Sequence, residues 1–143
     1  MMHYEFALLE SRAHLSDEQW NCIAASLPGN TGTRARQDRQ HQYRAFVEAV
    51  LWVAINQAFW SELPAEHDSW RSVYARFGRW CDRGMWLYVE RALASSEYAL
   101  LLGQLRVQHR QEQMKRRLWH ARRAAREADS LKLSERRTVE SAP

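Results

Sequence analysis

The sequence is poor in the residues that interrupt regular structure, with five Gly and three Pro in 143 positions. That scarcity argues against a turn-rich β fold. Ala, Leu, Arg, Glu and Gln are plentiful and lose little rotamer freedom in helices, so an all-α fold is expected. No apolar run approaches the roughly 20 residues that cross a bilayer. The start, Met1-Met2-His3-Tyr4-Glu5-Phe6, lacks the basic region and apolar stretch of a secretory signal, so a cytoplasmic protein is expected. Cysteine is scarce too. Cys22 and Cys81 stand alone, without a C-x-x-C pair or clustered His, and read as buried thiols in a reducing compartment rather than a disulfide or zinc site. The six His show no ligand spacing, and no Gly-rich phosphate loop, H-E-x-x-H or G-x-S-x-G occurs. No metal, cofactor or small-molecule ligand is expected. Glu62, Glu66, His67 and Asp68 cluster beside a turn and read as solvated surface rather than catalytic groups.

Aromatics, by contrast, are abundant: seven Trp, five Tyr and four Phe. They supply a core for one compact domain plus an appendage. Charge is unevenly spread. Residues 1–105 hold ten Arg and twelve acids, whereas residues 106–143 hold eleven Lys and Arg against five acids. The net positive charge therefore lies in the C-terminal segment, which suits a polyanionic partner.

Ser16, with Gln19 three residues on, forms a capping-box signature, and Trp20, Ile23, Ala24 and Leu27 follow at helical spacing. Pro28-Gly29-Asn30 ends this helix and Gly32 prolongs the break. Arg34, Arg36 and Arg39 lie in a polar stretch that reads as an exposed loop or the first turn of the next helix. Residues 45–55 are apolar nearly all round, which predicts a helix at the centre of a bundle, with a buried strand as the alternative. Trp60-Ser61-Glu62-Leu63-Pro64 reads as a short helix or turn. Asp68 or Ser69 can then cap a helix running to about Arg83, with Gly84 as its stop. Trp70, Val73, Tyr74, Phe77 and Trp80 share one side of it. Arg71, Ser72, Ala75, Arg76, Arg79 and Arg83 share the other. From residue 87 the pattern stays helical. Val107, Met114, Leu118, Ala121, Ala125 and Ala128 keep a narrow stripe on a basic helix ending near 129, and residues 130–143 read as frayed or disordered.

The helices at 44–56 and 69–83, joined through the Trp-Ser-Glu-Leu-Pro turn, fit a helix-turn-helix. There a buried helix braces a second one whose polar face enters the DNA major groove. Arg can bond guanine bidentately, and Arg or Ser72 can bond phosphate. An amphipathic helix with a merely solvated charged face would give the same local pattern.

Six blocks decide between these. Leu15-Ser16-Asp17-Glu18-Gln19-Trp20, Leu27-Pro28, Ala49-Val50-Leu51-Trp52-Val53, Trp60-Ser61-Glu62-Leu63-Pro64, Trp70 to Trp80, and Gly84-Met85-Trp86 occur in order. Together they resemble the insertion element 402-like helix-turn-helix domain that opens many DDE transposases, over roughly residues 13–93. The resemblance implies a helical DNA-binding domain with Arg71, Ser72, Arg76, Arg79 and Arg83 on its recognition side. The chain departs from the family at Thr33-Arg34-Ala35-Arg36, where Gly-Arg-Pro-Arg is usual, and at Gln57, where a glycine is usual. After residue 93 the family enters a catalytic domain, whereas this chain continues as Ser95-Ser96-Glu97-Tyr98 and a basic helix. DDE chemistry needs three carboxylates holding two metal ions, which a helix of this length cannot build.

The expected organisation is a transposase-like helix-turn-helix domain over 1–93, a basic helical extension over 94–129 and a tail over 130–143. The expected function is non-catalytic binding of double-stranded DNA by a nucleoid-associated transcriptional regulator. The alternative is a protein-interaction module or a truncated transposase that inhibits transposition. Beyond the recognition side, Arg34, Arg36, Arg39 and Arg44, and Lys115, Arg116, Arg117, Arg122 and Arg123, are the candidate DNA contacts. Residues 93–128 are the candidate dimerisation element. A basic amphipathic helix can also lie on an anionic membrane, but no membrane role is expected.

Overall fold

The computed structural model describes residues 14–141, and among these the chain forms five α-helices and no strand. They are α1 (Asp17–Ser26), α2 (Gln37–Asn56), α3 (Trp70–Asp82), α4 (Met85–Ala92) and α5 (Glu97–Glu140). No helix among the described residues is long and apolar enough to cross a membrane.

The chain divides into two compact units, one reaching Val107 and one starting at Gln108. In the first, α1 starts where the sequence places it. Gln19 N–H donates to Ser16 Oγ (3.1 Å) and Ser16 N–H donates to Gln19 Oε1 (3.0 Å), which satisfies two otherwise orphaned donors. The expected break after Leu27 contains a 3-10 turn, Gly29–Thr31. Within it, Gly32 is pressed against the end of α1, and a Cβ there would lie 1.9 Å from the Ala24 carbonyl oxygen. The apolar run 45–55 is the buried half of α2, with Val47, Ala49, Val50 and Leu51 fully enclosed; the strand alternative is excluded. α2 ends at Gln57, which adopts a left-handed conformation (φ 51°) where the family usually has glycine.

The core closes around aromatic rings. Phe46 of α2 meets Trp80 of α3 edge-on at 4.9 Å, Phe77 meets Trp86 at 5.5 Å, and Trp60 meets Phe77 at 4.8 Å. Such pairs add about 0.5–1.5 kcal/mol each beyond area burial. Trp86 also donates its indole N–H to the Phe77 carbonyl (3.3 Å), so the polar atom of this buried ring is satisfied. The first stretch of α5 belongs to this unit through buried Leu102 and a bidentate Arg106–Glu90 pair (2.8 and 3.1 Å). The unit therefore reaches beyond the boundary expected at 93.

The second unit is the remainder of α5. The helix, expected from its sequence pattern to end near 129, runs to Glu140. Residues 130–140 contain no Gly or Pro, and Leu, Lys, Glu and Arg carry little helix penalty. From Met114 onward every described residue is exposed.

Candidate nucleic-acid interface

α3 starts after Ser69, which makes no side-chain cap bond, so the cap expected from Asp68 or Ser69 is not formed; Asp68 Oδ1 accepts only the Ser69 N–H (2.7 Å). At the other end Arg83 is the last capping residue and Gly84 turns left-handed (φ 69°). Between them the helix buries Val73, Phe77 and Trp80 and exposes Arg71, Ser72, Ala75 and Arg79, with Arg83 exposed beyond its end. The packing and polar sides are those expected from spacing, except that Arg76, expected on the exposed side, is half-buried. The link from α2, residues 57–69, holds two 3-10 turns, Trp60–Glu62 and Ala65–His67. It is longer than the three- or four-residue turn of a simple helix-turn-helix.

A cleft of about 650 Å³ opens between α2 and α3. Ser72, Arg76 and Arg79 line it from α3, Gln42, Ala45 and Phe46 from α2, and His67 and Asp68 from the link. Arg76 is half-buried, its guanidinium over the rings of Phe46 (5.4 Å) and Tyr43 (5.8 Å). Arg71 lies over Trp70 (5.4 Å) and, like Arg83, does not line the cleft. Among the described residues none of Arg71, Arg76, Arg79 and Arg83 forms an ion pair within 4.0 Å. Cations without internal carboxylates are available to an external anion.

The other expected contacts separate into two groups. Arg34, Arg36 and Arg39 are exposed before and at the start of α2, with Arg36 Nε 4.0 Å from Asp38 in a loose surface pair. Lys115, Arg116, Arg117 and Arg122 are exposed on α5. Arg123 pairs with Glu127 (3.2 Å) and lies over Trp119 (5.4 Å). Arg44 is different. Its guanidinium donates to Asp17 (2.8 Å), to Glu48 (3.2 Å) and to the Leu15 carbonyl (2.6 Å), tying the entry of α1 to α2. The Asp17 bond raises its already high pKa further, against the cost of burial. Arg44, named among the candidate DNA contacts, thus has its guanidinium engaged within the fold. The sequence could not show it, because Asp17 reaches Arg44 only once α1 and α2 are packed.

Sequence reasoning also missed the rings under Arg76. Tyr43 and Phe46 sit 33 and 30 positions before it, and their i, i+3 spacing is shared by any amphipathic helix, so no local signal identified them. Burial pushes the Cys81 thiol up to about 12, with Asp82 and Glu90 reinforcing and Arg106 opposing. Cys22 is exposed, contrary to the expectation of two buried thiols. Among the described residues there is no group of three or more His, Cys, Asp or Glu that could hold a metal ion.

The chain is similar to "Uncharacterized protein y4sN" of Sinorhizobium fredii (strain NBRC 101917 / NGR234), 34% identical over 71 residues. The match covers 50% of this chain and 55% of that protein, so the chain spans about half the length of the curated relative it matches. No solved structure matches. Residues 15–89, from the Ser16 cap through the aromatic core to Val89, match the family described as "Putative transposase of IS4/5 family (DUF4096)", and the chain belongs to that family.

Proposed function

We propose that this chain is a non-catalytic DNA-binding protein, with transcriptional regulation as its biological role, derived from the DNA-binding domain of a transposase. The observation that carries the reading is the set of cations on and just after α3: exposed Arg71, Arg79 and Arg83 and half-buried Arg76, uncompensated by any acid within 4.0 Å among the described residues, with Ser72 beside them. A helix fits the major groove, and Arg is the residue best suited to guanine edges and to phosphate. Membership of a transposase family supports the same partner. Residues 97–140 form one helix, and we assign no phosphoryl-transfer chemistry to them.

The basic part of α5 supplies a second, sequence-independent contact. Residues 110–123 hold six cations against one acid, whereas 126–140 hold four of each. With Leu118 and Ala121 at the seam of a coiled coil, a parallel homodimer would set Arg117 against Arg122 and Arg110 against Lys115. Those repulsions favour phosphate as the partner of this stretch. They disfavour a parallel homodimer through 93–128.

Selection of fragmented genomic DNA on the purified protein at about physiological salt, followed by sequencing, tests the reading. Enrichment of a discrete motif supports it, and two half-sites about one helical turn apart would report a dimer. Retention without a motif leaves only the electrostatic contact of α5 and removes the regulator role. Absence of retention overturns DNA binding and leaves a protein-interaction module or transposition inhibitor as the reading to pursue.

A further inference from the structure

Taking a guanidinium partly out of water costs free energy unless an anion or hydrogen-bond acceptors meet it. Three arginines are half-buried among the described residues: Arg44, Arg76 and Arg106. Two are matched from within, Arg44 by Asp17 and Glu48, and Arg106 by both oxygens of Glu90. Arg76 has no carboxylate within 4.0 Å among the described residues. Tyr43 and Phe46 meet its guanidinium with ring faces, which hold it in place but offer no conventional acceptor to its N–H groups.

Ser72, Arg76 and Arg79 fall three and four residues apart, hence along one side of α3, and all three line the cleft opposite Gln42 of α2. Asp68 lines it as well. Its Oδ1 is taken by the Ser69 N–H, and it pairs with neither arginine within 4.0 Å. The cleft therefore keeps two guanidinium groups that form no ion pair among the described residues, a hydroxyl and an amide around a floor of Ala45 and Phe46, with the His67 ring and the Asp68 carboxylate at its edge. It is only partly enclosed, whereas a site for a small ligand buries most of that ligand's surface. A polymer that passes over such a cleft can leave one group in it.

We infer that the α2–α3 cleft seats a phosphate group, supplied by a phosphodiester of the DNA backbone and held by Arg76 and Arg79 with Ser72 and Gln42. The inference rests on the DNA-binding reading and divides its face: Arg76 fixes position on the duplex, and Arg71 and Arg83, outside the cleft, are left to read bases. The pre-stacked guanidinium presents a planar fork to the two free oxygens of a phosphodiester with little further loss of side-chain freedom.

Two measurements on the full chain test it. In the first, the protein is titrated with pyrophosphate at constant ionic strength and followed by amide and guanidinium N–H resonances. Saturable shifts at Ser72, Arg76 and Arg79, absent in Arg76→Gln, are expected. No saturable shift, or equal shifts at Arg71 and Arg83, overturns the seat. In the second, affinity for several unrelated 20-base-pair duplexes is measured against salt. Arg76→Gln should reduce the magnitude of the salt slope by about 0.9, the value of one phosphate contact, and weaken every duplex by the same factor. Arg76→Lys should retain the slope. A loss that differs between sequences makes Arg76 a base reader and overturns the proposal. Saturation by pyrophosphate without binding of any duplex keeps the seat, overturns the backbone as its source and removes the DNA-binding reading with it. Unchanged core tryptophan fluorescence in Arg76→Gln establishes that the variant is folded.

Discussion

Gly29 and Gly32 stand three residues apart in one break between helices, and they are glycine for opposite reasons. Gly29 has φ 63°, but a Cβ there would meet nothing within 4 Å. Gly29→Ala should therefore cost only the left-handed penalty, about 1 kcal/mol. A Cβ at Gly32 would lie 1.9 Å from the Ala24 carbonyl oxygen, 2.9 Å from its carbon and 3.2 Å from Leu27 Cβ. The oxygen contact must open by more than about 1 Å to reach the roughly 3.3 Å at which carbon and carbonyl oxygen normally meet. Both Ala24 and Leu27 are buried, so neither can yield without disturbing the core. Overpacking of this kind costs about 1–3 kcal/mol. The Thr33 N–H bond to the same oxygen (3.2 Å) is worth about 1 kcal/mol more if the shift breaks it. Gly32→Ala should thus lose roughly 3 kcal/mol and lower Tm by on the order of 15 °C. The assay is denaturant unfolding followed by tryptophan fluorescence. Six of the seven Trp precede Gln108, so the signal reports the first unit, whereas far-UV circular dichroism would mix in the rest of α5. The reasoning is refuted if Gly32→Ala costs less than Gly29→Ala, for then backbone conformation and not contact governs this turn.

Arg44→Ala should cost about 1–3 kcal/mol, because the Leu15 carbonyl loses its donor and Glu48 its cationic partner, keeping only the Leu15 N–H and His14, while leaving affinity for a DNA duplex nearly unchanged. A large loss of affinity with normal stability would return Arg44 to the DNA contacts. Replacing Lys115, Arg116 and Arg117 together by Ala should flatten the salt dependence of DNA binding by roughly 2.7 in log–log slope if all three touch phosphate, without moving the preferred sequence. A changed preference would mean that this stretch reads bases. At pH 8 a thiol reagent should modify exposed Cys22 and spare Cys81, whose thiol burial holds protonated until the pH approaches 12. Because that folded value lies above the unfolded one, the contribution of Cys81 to stability is full below about pH 9 and is lost as pH rises toward 12. Comparable modification rates at the two cysteines would contradict the burial of Cys81.

The elements that the sequence announced are those fixed by local chemistry. The Ser16–Gln19 capping box, the apolar run that fills α2, and Gly84 after α3 each rest on contacts within a few residues, and each is found where the spacing put it. What went unread depends on distant chain. No periodicity could tell that Gly32 closes against Ala24, a contact made only when the chain doubles back over α1. The same holds for Glu90, whose carboxylate brings the start of α5 into the first unit through Arg106. The end of α5 was misjudged for another reason. Its polar, uniformly exposed last turns lack an apolar face, which a pattern-based reading takes as disorder, although composition without Gly or Pro leaves nothing to stop the helix.

The arginines carry the same lesson into the candidate site. Arg44 and Arg76 both sit on amphipathic helices beside aromatic neighbours, and sequence alone assigned both to DNA. Their difference lies in what packing delivers: α1 brings Asp17 to Arg44, whereas no carboxylate among the described residues comes within 4.0 Å of Arg76. A chain that can neutralise its half-buried arginines at two positions, and at the third supports the guanidinium with rings instead of an acid, keeps that charge for a partner outside itself. Substituting an acid at Ala75 or Gln42, both placed beside the cleft, should therefore act as an internal anion. Gln42→Glu is expected to leave the fold intact and to weaken phosphate and duplex binding together. Unaltered binding in Gln42→Glu would mean that the cleft charge faces no partner, and that the contacts with DNA lie wholly on Arg71, Arg83 and α5.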